Sequence, residues 1–207
     1  MRIVGVYGSP RAGGNTDKML NAFLEGAQQE GALVRQIYVR KLNLQGCLGC
    51  GGCDETGQCV VKDDMQEVYP LLEAAHGIVL ASPVYFYNLT GQVKLLIDRS
   101  QALFMKKSLH EKAQPISASA ASKDGKKGFL LSAAATRGKR LFDCARLTFT
   151  YFMDALGGQM VGELCLRELE GKKDVEKDSQ WLRQCRMEGE RFARCLAEVP
   201  KDAEEPL

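Results

Sequence analysis

The chain of 207 residues holds only two histidines, His76 and His110, and neither lies near its cysteine-rich stretch. They fall at a helix end and in a loop, where a polar surface role is the simplest reading. No apolar run approaches the roughly 20 residues needed to span a bilayer, so no membrane partner is expected. Residues 3–7 are apolar at once, without the basic-then-apolar order of a signal peptide, which implies a cytoplasmic protein. Net charge is only +2, too small a field to favour nucleic acid or an anionic surface. There is no internal repeat. No titratable cluster demands an acid or a base, so no protein side chain is assigned a catalytic role.

Cysteine, by contrast, is plentiful: eight residues, four of them clustered. In a reducing cytosol these stay as thiols or bind metal, and a disulfide pair is not expected. Hydrophobic content of 45% and charged content of 26% are ordinary for a globular chain with one proper core. Residues 1–199 read as a single domain and 200–207 as an acidic, disordered tail.

Strand and helix patterns alternate. Residues 3–7 are a short apolar run that reads as a buried strand, and 33–39, 77–81, 128–133 and 160–166 read as four further strands. Helices are expected from Asn15 or Thr16 to Gly31, from Asp64 (with Glu67 completing a capping box), over 91–104, over 141–156 and over 175–196. Residues 106–126 are polar and read as a connection. Five strands alternating with five helices predict a parallel α/β sheet covered on both faces. Ligands of such sheets bind outside the carboxyl ends of the strands, where the order reverses.

The loop after the first strand reads Gly8-Ser9-Pro10-Arg11-Ala12-Gly13-Gly14-Asn15-Thr16. It offers backbone N–H groups, two hydroxyls, an amide and a cation at a helix N-terminus, the equipment of a phosphate site. It is neither a nucleoside-triphosphate loop nor Gly-x-Gly-x-x-Gly. After the third strand, Ser82 to Asn88 supplies three aromatics in a row. Core packing is the competing reading for Tyr85, Phe86 and Tyr87. The loop 134–138 carries Arg137, which either faces a ligand or is solvated.

These motifs, together with Val93-Lys94-Leu95-Leu96-Ile97-Asp98-Arg99, are similar to the NAD(P)H-dependent FMN reductase family of flavodoxin-like proteins. The resemblance is strong over residues 1–99 and rests on pattern alone beyond them. It implies a three-layer sandwich with sheet order 2-1-3-4-5 and bound FMN. By motif position the phosphate contacts would be Ser9, Arg11, Asn15 and Thr16. Pro83, Val84, Tyr85, Phe86 and Asn88 would border the isoalloxazine ring.

Cys47, Cys50, Cys53 and Cys59 follow Cys-x2-Cys-x2-Cys-x5-Cys, with Gly46, Gly49, Gly51 and Gly52 between them. Consecutive Cys-x-x-Cys steps present thiolates as ferredoxins do, and nearby amides could donate to sulfur. Structural zinc more often uses two separate knuckles or adds histidine. Four free thiols are the third reading. The loop resembles that of the iron–sulfur flavoproteins, a branch of the same family, which implies a 4Fe-4S cluster on these four residues. The family further implies a homodimer or homotetramer; ferredoxin or NAD(P)H is expected as electron donor and a small molecule as acceptor. An NAD(P)H-dependent FMN or quinone reductase without a cluster is the alternative. Of the other cysteines, Cys144 and Cys185 fall on apolar helical stripes and are expected to be buried.

Overall fold

The computed structural model describes residues 1–113 and 125–198. The expected tail at 200–207, and most of the segment 106–126 after residue 113, lie outside the described residues. The strands are β1 (Arg2–Tyr7), β2 (Leu33–Tyr38), β3 (Gly77–Pro83), β4 (Lys126–Ala133) and β5 (Gly158–Leu166). They form one sheet in the order β2-β1-β3-β4-β5, and every neighbouring pair is parallel. The helices are α1 (Asn15–Gln29), α2 (Met65–Ala74), α3 (Gly91–Arg99), α4 (Gln101–Ala113), α5 (Asp143–Ala155) and α6 (Ser179–Ala197).

Period-two alternation along the strands divides the apolar residues between two layers. Val4, Val6, Ile78, Leu80 and Leu130 face the layer of α2, α3, α4 and α5. Ile3, Tyr7, Val79, Ala81, Phe129 and Leu131 face α1 and α6. Burying one such side chain is worth about 1.5–3 kcal/mol. In the second layer, Phe23 of α1 meets Phe129 at 4.8 Å and Phe192 of α6 at 5.6 Å between ring centroids. The two helices approach closely because each presents glycine. A Cβ on Gly189 would lie 1.9 Å from the Phe23 carbonyl oxygen, and one on Gly26 would lie 2.1 Å from that of Arg186.

Several local expectations are corrected. The helix over 91–104 is two helices that break at Ser100, whose hydroxyl donates to the Leu96 carbonyl at 3.0 Å. The polar stretch after residue 105 continues α4 to Ala113, with only Ala102 and Leu103 buried. Ion pairs Lys106–Glu73 and Lys107–Asp154 tie this solvated helix to the body. Neither Asn15 nor Thr16 caps α1, because Gly14 holds that position and Asn15 is already helical. The Asp64–Glu67 capping box does not form. Asp63 Oδ1 instead accepts the Met65 N–H at 3.1 Å, and Asp64 Oδ2 accepts that of Asn43 at 2.7 Å. Cys144 is exposed. The buried face of α5 runs through Ala145, Phe149, Phe152 and Met153, one step round the helix from it. Cys185 is buried as expected, and burial pushes its thiol up to about 12. The last helix starts at Ser179, capped by the Asp178 side chain, after a separate 3₁₀ turn at Asp174–Glu176.

Candidate functional site

The sheet order reverses at β1, between α1 on one face and the connection to β3 on the other. The carboxyl ends of β1, β3 and β4 open there into a cleft of about 240 Å³. Ser9, Arg11, Asn15 and Thr16 line it from the first loop, and Pro83, Val84 and Tyr85 from the loop after β3. Leu169, Glu170 and Lys172, beyond β5, close the third side. Seven of the nine residues expected at a flavin are thus brought together. The two others lie elsewhere: Phe86 is fully exposed, and Asn88 Oδ1 accepts the N–H of Leu89 at 2.8 Å and the Thr148 hydroxyl at 3.4 Å.

The first loop is built around the start of α1, whose leading N–H groups have no intrahelical acceptor. Ser9 and Thr16 are 4% and 3% exposed. Ser9 Oγ accepts the Arg11 N–H at 3.1 Å, which folds the loop back on itself. Asp17, in the first turn, accepts the Gly13 N–H at 2.9 Å. Arg40 offsets this buried carboxylate at 3.0 Å and also donates to the Ser9 carbonyl at 3.1 Å. The Asn15 amide donates to the Gly171 carbonyl at 2.8 Å and accepts from Val175 N–H, so its side chain fastens the loop beyond β5.

The loop after β3 is a tight turn. Tyr85 N–H donates to the Asn88 carbonyl at 2.8 Å and Asn88 N–H returns to Tyr85 at 3.0 Å. The central residues Phe86 and Tyr87 have φ of 47° and 63°, the left-handed region that bulky side chains rarely adopt. Such strain costs roughly 1–3 kcal/mol each and concentrates at ligand sites. Core packing does not explain these aromatics, since Tyr85 and Tyr87 are 43% and 51% exposed. Buried hydroxyls hold the strand ends beneath. Thr90 Oγ1 donates to the Gly8 carbonyl at 2.7 Å, and Ser132 Oγ to that of Ser82 at 2.8 Å. Arg137 is engaged by Glu168 on the open surface.

The four clustered cysteines line a second cavity of about 510 Å³, which shares no wall residue with the first. Cys47 and Cys50 are exposed, whereas Cys53 and Cys59 are half-buried. Gly49 and Gly51, at φ of 60° and 71°, let the chain turn between thiols. The loop is fastened at its end by Asp63, which pairs with Arg99 of α3 at 2.5 Å, and both side chains are buried. Gln66 Nε2 donates to the carbonyls of Cys59 at 3.1 Å and Val61 at 2.7 Å. Burial, with the Asp54 carboxylate, raises the Cys53 thiol. Burial also acts to raise Cys59, but the Val61 N–H, the Tyr69 hydroxyl and Arg99 outweigh it and hold the thiol below its ordinary value.

Among the described residues no three acidic, histidine or cysteine side chains close on a single metal ion. A cubane asks for something different: four thiolates set apart around a volume, one to each iron. An all-thiolate donor set lining one cavity, on a glycine-rich loop, fits that group. Sequence reasoning missed Arg99, Arg40 and the wall at 169–172. Arg99 left a signal, since it stands three residues after Leu96 and four before Leu103 on an apolar stripe. A cation there must have a buried partner.

A parallel sheet in this order, with a glycine-rich loop and a cleft at the switch point, is the flavodoxin-like architecture. A WrbA-like flavodoxin from Agrobacterium tumefaciens superposes at a TM-score of 0.57 over 96% of this chain and 99% of its own, with 18% identity, a likeness of fold alone. The chain belongs to the NADPH-dependent FMN reductase family, whose model matches residues 1–137. An iron-sulfur flavoprotein of Archaeoglobus fulgidus is 43% identical over 99 residues, 48% of this chain and 45% of the relative. An iron-sulfur flavoprotein of Methanocaldococcus jannaschii is 32% identical over 207 residues, 96% of this chain and 98% of the relative. The chain spans about half the length of the first curated relatives it matches, 45% and 54% for two of them. No helix among the described residues is long and apolar enough to cross a membrane.

Proposed function

We propose that this protein is an FMN-dependent oxidoreductase that exchanges electrons between FMN and a 4Fe-4S cluster held by Cys47, Cys50, Cys53 and Cys59. The observation that carries this reading is the ring of four cysteines around one cavity, in a chain similar to proteins named iron-sulfur flavoproteins. Bound FMN supplies two-electron chemistry and a cluster supplies one-electron chemistry. The chain itself binds and orients. Ser9, Arg11, Thr16 and the N-terminus of α1 would hold the phosphate, while Val84 and Tyr85 would wall the ring. Asp63 and Arg99 keep the cysteine loop in place. By the resemblance to iron-sulfur flavoproteins, the reading includes a homodimer or homotetramer in which the cluster of one subunit faces the flavin of another, in keeping with two cavities that share no wall residue. The donor is ferredoxin or NAD(P)H, the acceptor a small molecule, and the compartment the cytoplasm.

The test is to purify the protein without oxygen and assay iron, sulfide and FMN on one sample. About four irons and one flavin per chain is the expected result. Flavin without iron would sink the cluster and leave an FMN or quinone reductase. Flavin bleaching by NAD(P)H and by reduced ferredoxin, compared on that sample, separates the two donors.

A further inference from the structure

The guanidinium of Arg99 is 1% exposed, and four of its five N–H groups have acceptors. Nη1 donates to the Gln45 carbonyl at 3.0 Å and to Asp63 Oδ2 at 2.5 Å. Nη2 donates to Asp63 Oδ1 at 3.1 Å and to the Val61 carbonyl at 3.5 Å. The fifth, on Nε, is the one buried side-chain polar atom among the described residues that has no partner. Folded chains rarely leave such a donor idle without a reason.

The reason lies in where it stands. Arg99 forms part of the wall of the cavity that the four cysteines ring. The Asp63 pair and the two carbonyls hold its fork on one side, so the side chain has no freedom to turn Nε elsewhere. Cys59 lines the same cavity, two residues before the Val61 carbonyl that this guanidinium holds, whereas Cys47 and Cys50 are exposed and Cys53 adjoins Asp54. The Tyr69 hydroxyl, which donates to the Arg99 carbonyl at 2.8 Å, braces the same corner.

We propose that Arg99 is a positioning residue whose Nε–H is reserved for the Cys59 thiolate, and that this bond sets the reduction potential of the group the four cysteines hold. The inference rests on the iron–sulfur reading above. Reduction adds negative charge to cluster and thiolates, and a donor to sulfur stabilises that charge, so the bond raises the potential.

Arg99→Lys is the discriminating change. Lysine keeps the charge and can still reach Asp63, but it places a methylene where Nε stood. Asp63→Asn loosens the same clamp yet leaves Nε intact. Both variants and the parent, prepared without oxygen, are assayed for iron and flavin and titrated electrochemically under EPR. Arg99→Lys is expected to retain iron and to become harder to reduce, by about tenfold in the equilibrium, or 59 mV for one electron. Asp63→Asn removes a neighbouring negative charge and is expected to leave the potential level or raise it. Loss of iron from Arg99→Lys alone would also support the inference. An unchanged potential in Arg99→Lys overturns it. So does a matching fall, or matching loss of iron, in both variants, which is what a purely structural clamp predicts. Absence of iron from the parent protein would instead overturn the cluster reading itself, and this inference with it.

Discussion

The side-chain oxygen of Asn15 accepts the backbone N–H of Val175 at 3.1 Å, across 160 positions of chain. The same amide donates to the Gly171 carbonyl at 2.8 Å and, more weakly, to that of Leu169 at 3.4 Å. One residue of the first loop thus holds the third wall of the cleft. Asn15→Ala leaves those backbone groups without their partner and is expected to cost about 1–3 kcal/mol. In a domain of this size that lowers the midpoint of thermal unfolding by several degrees, roughly 2–4 °C per kcal/mol. Flavin titration should show weaker binding in the same variant. A melting curve that matches the parent would refute the clamp.

The strained turn at Phe86 and Tyr87 makes an opposite prediction. Replacing the pair by Asn-Gly supplies residues that adopt the left-handed region readily. The ligand-free protein is expected to gain about 1–3 kcal/mol in denaturant unfolding. FMN affinity is expected to fall, because the strained turn that sets Tyr85 in the cleft wall is relaxed. A gain in stability with unchanged affinity would show that the strain serves no ligand.

The contact of α1 with α6 leaves no room at Gly189. Gly189→Ala places a methyl against the Phe23 carbonyl, so the helices must part. Overpacking of this kind costs typically about 1–3 kcal/mol. Gly91→Ala is the control, since a Cβ there meets nothing within 4 Å. Urea midpoints of the two variants should differ clearly.

Stability should also fall on mild acidification. Partial desolvation, then Arg2, the N-terminal ammonium and Lys126, hold the His76 ring below its usual value near 6.5. The folded chain therefore takes up this proton less readily than the unfolded chain does. The contribution is complete above pH 6.5 and is lost as pH drops below it. The ring is exposed, so the effect is small. Urea midpoints measured at pH 7.5 and 5.5 should converge in His76→Gln relative to the parent. An unaltered pH dependence in that variant would assign the effect to other groups.

The strands were legible because buried parallel strands are nearly continuous apolar runs. Residues 3–7 and 77–83 carry that signal whatever surrounds them. The loop motifs were legible because a phosphate site and a thiolate ring need particular residue types at close spacing. What escaped was tertiary. Ser100 breaks a helix that periodicity would continue, through a bond its own hydroxyl makes. Asp64 faces Asn43 instead of capping α2, because the cysteine loop returns beside it. The wall at 169–172 is invisible locally, since its place in the cleft depends on β5 lying beside β4.

The packing of α6 on α1 has a consequence for synthesis. During translation the side of α1 that α6 covers stays open until that helix leaves the ribosome. The residue that seats the third wall waits equally long for Val175, 160 positions later. At about 5–20 residues per second, that interval is roughly ten to thirty seconds. A nascent chain thus carries its glycine-rich loop early and completes the cleft late, once residues 169–175 have been made.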